Sequence, residues 1–418
     1  MSILVRHRIG GWLPRDHRIL QRWLAKKIAQ VDANPQPFQP VIQEFQNLIE
    51  SNADIYMDFH QMFNQVPTKP PYDKDPTGKP QVRDYMNMLA LFNQVITEAP
   101  DFEEASYDVG LVGFPINAIL DWPMGTPAGL SAFSNDKVNA QFKKMFDVWA
   151  AFLTSSASRY VLTTDTTGWF GPNASEAMPN FAQTYVCDPT AQYYGFRSWD
   201  DFFTRLFQPG VHPVMFPDDD RIVISACEST VYKTASNIKA LDTFWLKGEP
   251  YSLNHMLNND PFVPQFVGGT VYQAFLSATK YHRWHSPVNG TVTKTVMIPG
   301  TYYAESPAMG FPNPDPGAPD LSQGFITAIA ARSLIFIQAD NRGIGLMCFV
   351  AVGMAEVSTC EITVKEGQVL KKGDEMGMFH FGGSTHCLIF RPGASVTFNP
   401  DYPVGADVPL HAPIVTIA

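Results

Sequence analysis

A change of periodicity near residue 220 constrains this chain more than any other feature. Before it, apolar residues recur at helical spacing: Val41, Phe45, Leu48 and Ile49, then Ile55, Phe59, Met62 and Phe63, then Tyr85, Met88, Leu89, Phe92, Val95 and Ile96. The best-defined helix carries Val138, Phe142, Met145, Phe146, Trp149, Phe152 and Leu153, with Asn135 or Asp136 as its N-cap. These aromatic stripes read as core. After Arg221 the texture becomes short apolar or alternating runs, at 222–224, 292–298, 334–337 and 346–352, punctuated by glycine, proline and asparagine. That is the pattern of antiparallel strands. The expected fold class is therefore α+β, with a helical N-terminal lobe over 1–193 and a mostly antiparallel β domain over 194–418.

Local signals refine this picture. Ser198 suits a helix N-cap, with Asp200 and Asp201 in the first turn. Residues 67–80 and 304–320 hold five prolines each and read as loops, the second as a lid. Glycines at turn positions in 367–377 predict a hairpin of the kind found in small barrels that carry biotin or lipoyl groups, so a barrel-like C-terminal region is expected.

Composition excludes several classes. With 45% hydrophobic and 17% charged residues, the chain can build a sizeable core. A net charge of −10 argues against nucleic acid or an anionic membrane as the main partner. Five cysteines without CxxC spacing point away from a metal site or disulfide framework and towards a reducing compartment. No apolar run reaches the ~20 residues of a membrane helix. The first 30 residues hold seven Lys/Arg and one Asp but a single serine, which favours a cytoplasmic protein with a basic N-terminal helix. Mitochondrial import is the alternative.

Three stretches could carry chemistry. In Phe379-His380-Phe381-Gly382-Gly383-Ser384-Thr385-His386, the glycines permit a bend and leave the Gly383 carbonyl open. A serine hydroxyl just downstream is placed for an intramolecular N-to-O acyl shift. An ordinary glycine turn before the apolar run 387–390 is the other reading. His282 and His285 could share a helical face as metal ligands, but Pro287 and Asn289-Gly290 favour an extended segment, which separates them. Glu228, near a strand end, is either a solvated carboxylate or the group that orients a histidine base.

Taken together and in order, Phe202-Phe203-x-Arg205, Lys247-Gly248-x-x-Tyr251-Ser252-Leu253, Tyr281-His282-Arg283-x-His285-x-Pro287 and Gly383-Ser384-Thr385 resemble the phosphatidylserine decarboxylase family. Within it the chain looks most like the fungal branch acting on L-tryptophan and other aromatic amino acids. The resemblance implies that the chain cuts itself between Gly383 and Ser384. Ser384 would become a covalent pyruvoyl cofactor that forms a Schiff base with a substrate amine. It also implies that His285 is the base for Ser384, that His282 acts near the substrate carboxylate or carbanion, and that Glu228 stands for the family's orienting aspartate. The expected partners are a small aromatic amino acid and the chain's own fragment 384–418; a homo-oligomer is compatible. Trp284 and the 304–320 loop would wall and cover the cleft.

Two other readings remain. The nearest is a phosphatidylserine decarboxylase making phosphatidylethanolamine. A biotinyl- or lipoyl-type carrier would need an exposed, modifiable lysine turn, which Val364-Lys365-Glu366 does not offer.

Overall fold

The computed structural model describes residues 17–67, 82, 84–102, 115–242, 250–306, 322–356 and 358–418. Helices His17–Ala33, Pro40–Ser51, Ala53–Asn64, Tyr85–Val95 and Asp136–Leu153 dominate the first part. Their apolar stripes face inward as periodicity predicts: Ile55, Phe59, Met62 and Phe63 are the buried residues of one helix. Asn135 caps the helix Asp136–Leu153 by accepting from the Lys137 amide. Phe45 meets Phe142 edge-on at 5.0 Å, locking two of these helices together.

Among the described residues, the second part is built on fourteen strands. They are β1 (Ile222–Ile224), β2 (Ser229–Ser236), β3 (Thr270–Leu276), β4 (Arg283–His285), β5 (Gly290–Ile298), β6 (Arg332–Ala339), β7 (Leu346–Met354) and β8 (Cys360–Ile362). The remainder are β9 (Val369–Leu370), β10 (Glu375–Phe379), β11 (Gly383–Phe390), β12 (Val396–Phe398), β13 (Asp407–Val408) and β14 (Pro413–Ile417). Eight form an antiparallel sheet in the order β13-β2-β3-β11-β7-β6-β5-β9. Two smaller sheets run β4-β10-β8 and β1-β14-β12. The fold is α+β.

β11 lies in the interior of the large sheet, and both its faces are covered. Cys387 and Ile389 belong to a core shared with the N-terminal helices, whereas Leu388 and Phe390 belong to a second core with β1, β4, β10 and β14. Burial on both sides explains why β7 is apolar throughout rather than alternating.

Three expectations change. Residues 367–377 do not form a hairpin: β9 pairs with β5, while β10 pairs with β4 and β8. The large sheet ends in strands β13 and β9, and no closed barrel is formed among the described residues. Trp284 is no cleft wall; it is fully buried against Phe349 and Phe379, because alternation on β4 turns it into the core. The expected lid lies, from residue 307 on, outside the described residues, as does most of the 67–80 loop.

Candidate active site

Gly383 opens β11, so the Gly383–Ser384 bond is the first bond of an interior strand. Ser384 pairs with Leu276 of β3 and Gly353 of β7. It is 1% exposed, and its Oγ has no hydrogen-bond partner among the described residues. A buried hydroxyl without a partner is costly and calls for a chemical reason. On the opposite face, the Thr385 hydroxyl donates to the Ala274 carbonyl at 3.0 Å and accepts from Gln273 Nε2 at 3.1 Å. Gln273 in turn accepts from the Tyr251 hydroxyl.

The bend before Ser384 needs glycine. Gly382 has φ +142°, and a Cβ there would sit 2.7 Å from the Ser358 amide nitrogen. That nitrogen donates to the Phe381 carbonyl at 2.9 Å. Ser358 belongs to a turn in which Ala355, Glu356 and Ser358 all have positive φ, and its hydroxyl donates to Ala355 O. This strained turn buttresses the glycine pair.

His282 is buried, stacked on Phe203 with ring centres 3.9 Å apart. Its main-chain carbonyl accepts from the Phe379 amide at 2.9 Å, which ties it to the segment before Ser384. Burial, helped by the nearby Arg205 guanidinium, holds its pKa well below the usual histidine value; the Phe203 and Ser277 carbonyls act the other way. Arg205 anchors the adjoining loop by donating to the Thr279 and Lys280 carbonyls at 2.6 and 3.1 Å.

His285 is extended on β4, so metal-type spacing with His282 does not arise. Its Nδ1 lies 2.7 Å from the Gly373 carbonyl and its Nε2 3.0 Å from the Tyr281 hydroxyl. A carbonyl can only accept, so Nδ1 carries the proton and Nε2 is the acceptor. Burial pushes the pKa down to about 4, with Gly373 opposing and His411 and Arg283 adding to the fall. The imidazole is neutral at pH 7, the form able to take up a proton.

The expected Glu228–His285 pair is not formed. Glu228 accepts from the Tyr281 amide at 3.0 Å and lies 3.4 Å from Lys280 Nζ. The Gly373 carbonyl takes the orienting position instead. Glu228 therefore reaches His285 only through Tyr281. No hydrogen bond joins His285 to Ser384 Oγ, since both ring nitrogens are engaged elsewhere.

Two further histidines were not singled out by sequence. His386, two residues beyond Ser384 and so on the same strand face, is buried beside Phe349 and Tyr272. Burial lowers its pKa to about 3 against the Ala274 carbonyl. Period-two spacing from Ser384 could have flagged it. His380 contacts two carboxylates, a meeting of distant segments that no local pattern announces.

Comparison with known proteins gives a consistent result. Family models describing phosphatidylserine decarboxylase match residues 39–178 and 199–409. An L-tryptophan decarboxylase of Psilocybe cubensis is 40% identical over 91% of this chain and 88% of its own length. The decarboxylase iboD of Amanita muscaria is 47% identical over 72% of this chain and 90% of its own. Phosphatidylserine decarboxylase proenzyme 3 of Schizosaccharomyces pombe is 31% identical over 48% of this chain and 19% of its own length.

Proposed function

This chain is a decarboxylase of the phosphatidylserine decarboxylase family, and from that premise we propose that its substrate is a free aromatic L-amino acid, tryptophan before others. The observation that carries the reading is the extent of the match. Similarity to the L-tryptophan decarboxylase runs through 91% of the chain, whereas the yeast lipid decarboxylase is matched over 48%. The helical lobe, proposed to end near residue 193 where the catalytic domain begins, is thus part of what is shared. Cysteine usage supports work in the cytoplasm, with mitochondrial import as the alternative that cell fractionation would reveal.

Maturation is proposed to come first. Ser384 Oγ adds to the Gly383 carbonyl, and the amide C–N bond gives way to an ester. Elimination then releases the upstream chain as a Gly383 carboxylate, and the residue left at 384 takes up water and loses ammonia to become pyruvoyl. The surroundings fit such a group: the Oγ is buried with no partner among the described residues, and the Gly382 backbone leaves no room for a side chain. Once formed, that group draws electrons from the amine-bearing carbon so that CO2 can leave.

The chain's own residues then have separate tasks. His285, neutral with an accepting Nε2, is proposed to take the Ser384 proton, for which the Tyr281 hydroxyl must release that nitrogen. Glu228 acts indirectly, by fixing Tyr281. His282 is proposed to stand beside the departing carboxylate; kept uncharged, it does not trap that carboxylate as an ion pair. The fragment 384–418 retains β11 between β3 and β7 and β14 beside β1, which supports its remaining bound after the cut.

The test is direct. CO2 release is measured with tryptophan, phenylalanine, tyrosine and phosphatidylserine in mixed micelles, each alone. Turnover of the lipid and of none of the amino acids overturns the substrate. Intact mass should show two fragments for the natural chain and one for Ser384→Ala; a single active 418-residue chain overturns the self-cleavage.

A further inference from the structure

The glycine pair before Ser384 has no side chains with which to fix its own position. The Gly383 carbonyl must therefore be aimed by what lies on either side. Downstream, β11 is held by β3 and β7. Upstream, three residues are tied in succession: Phe379 through its amide to the His282 carbonyl, His380 through its side chain, and Phe381 through its carbonyl to the Ser358 amide. The side-chain tie is unlike the others. His380 Nδ1 lies 2.9 Å from Asp200 Oδ1, and Nε2 lies 2.9 Å from Glu361 Oε2.

A neutral imidazole has one ring nitrogen that cannot donate. Facing a carboxylate, that nitrogen would set lone pair against lone pair. The observed geometry is satisfied only when both nitrogens carry protons, so the ring is an imidazolium bridging two carboxylates. Asp200 and Glu361 are the charged groups that face it, from the helix Trp199–Phe203 and from β8. On the neighbouring elements, Asp201 of the same helix is paired with Arg197, and Arg283 of β4 with Glu375 of β10. Burial opposes the charge, but the two carboxylates override it and raise the pKa to about 9. The same helix supplies Phe203, on which His282 stacks.

We propose that His380, clamped as a cation between Asp200 and Glu361, is a positioning residue that sets the Gly383–Ser384 bond for self-cleavage. It also holds that bond in register with the helix that seats His282. This rests on the self-cleavage reading given above.

The experiment follows cleavage of freshly refolded full-length chain on gels from pH 6 to 10.5. Natural chain should cleave more slowly as pH rises through about 9. His380→Gln should cleave about tenfold more slowly at pH 7.5, an effect of orientation, and should lose the alkaline fall. His380→Lys keeps the charge; it should restore most of the rate and move the fall to higher pH. Asp200→Asn and Glu361→Gln retain the ring, and each should bring the fall to lower pH. They serve as the test if His380→Gln does not accumulate folded. A merely structural residue would change yield or melting temperature without moving the pH profile. Natural rates and an unchanged profile in His380→Gln, or an unmoved fall in both carboxylate variants, overturn the proposal. Failure of the natural chain itself to cleave overturns the self-cleavage reading, and this proposal with it.

Discussion

His285 and His380 flank the same short strand, β10, yet they are held in opposite charge states. His285 sits across from Glu375 at one end of that strand, bonded to a carbonyl and a hydroxyl, with its pKa pushed down to about 4. His380 follows the other end, between two carboxylates, with its pKa raised to about 9. Burial drives both downward, so burial does not separate them. The partners do: neutral acceptors leave desolvation in command, and carboxylates reverse it. One ring is thereby suited to take a proton and the other to hold a position.

The largest effect expected on this contrast comes from His285→Ala. It should slow cleavage at least about a hundredfold, the usual loss when a positioned base is removed. Cleavage at the natural rate would make His285 as purely structural as its engaged nitrogens. Next comes Gly382→Ala, in the bend that links β10 to Ser384. With φ +142° and Ser358 2.7 Å from a new Cβ, it should cost about 1–3 kcal/mol of stability. Urea unfolding on the Ser384→Ala background, which keeps the chain in one piece, measures this, and an unchanged midpoint would show that the bend relaxes freely.

The pH dependence of stability should show both histidines, with opposite signs. The folded-state pKa of His285 is depressed from 6.5 to about 4, so its neutral ring contributes stability above pH 6.5 that is lost as pH falls through 4. Buried His282 and His386 add to the same acid limb. For His380 the folded pKa is raised from 6.5 to about 9; its contribution is complete below pH 6.5 and is lost as pH rises through 9. Melting temperatures of Ser384→Ala across this range should fall at both ends, and adding His380→Gln should remove the alkaline limb alone. An alkaline limb that survives would assign it to other groups.

The smallest effect is expected from Glu228→Gln. A glutamine oxygen can still accept from the Tyr281 amide, and only the Lys280 pair is lost. Lys280 is 35% exposed, and such partly screened pairs contribute about 0–1 kcal/mol. Cleavage within about threefold of the natural rate is expected on that account. A severe defect would instead mean that the carboxylate turns towards His285 during the reaction.

Much of this was legible in the chain. The helical stripes predicted the buried faces, because a period of 3.6 or 2 is a local property that burial must respect. Ser198 and Asn135 were readable as caps for the same reason: each bonds to an amide two or three residues away. The strand runs at 222–224, 334–337 and 346–352 appear as β1, β6 and β7, and Gly383-Ser384-Thr385 pointed to the bond proposed here for self-cleavage, because that chemistry needs only adjacent atoms. What sequence could not supply was pairing between distant segments. Residues 367–377 look like a hairpin, but β9 and β10 join different sheets. Glu228 looks like the histidine's carboxylate, but Gly373 occupies that place, 145 positions away along the chain. His380 reads as one more polar residue until the fold brings Asp200 and Glu361 to its two nitrogens. Periodicity, caps and the glycine-serine step are each written within a few residues of one another. Charge state and hydrogen-bond partnership depend on which remote groups are packed together and dried, and only the tertiary structure decides that.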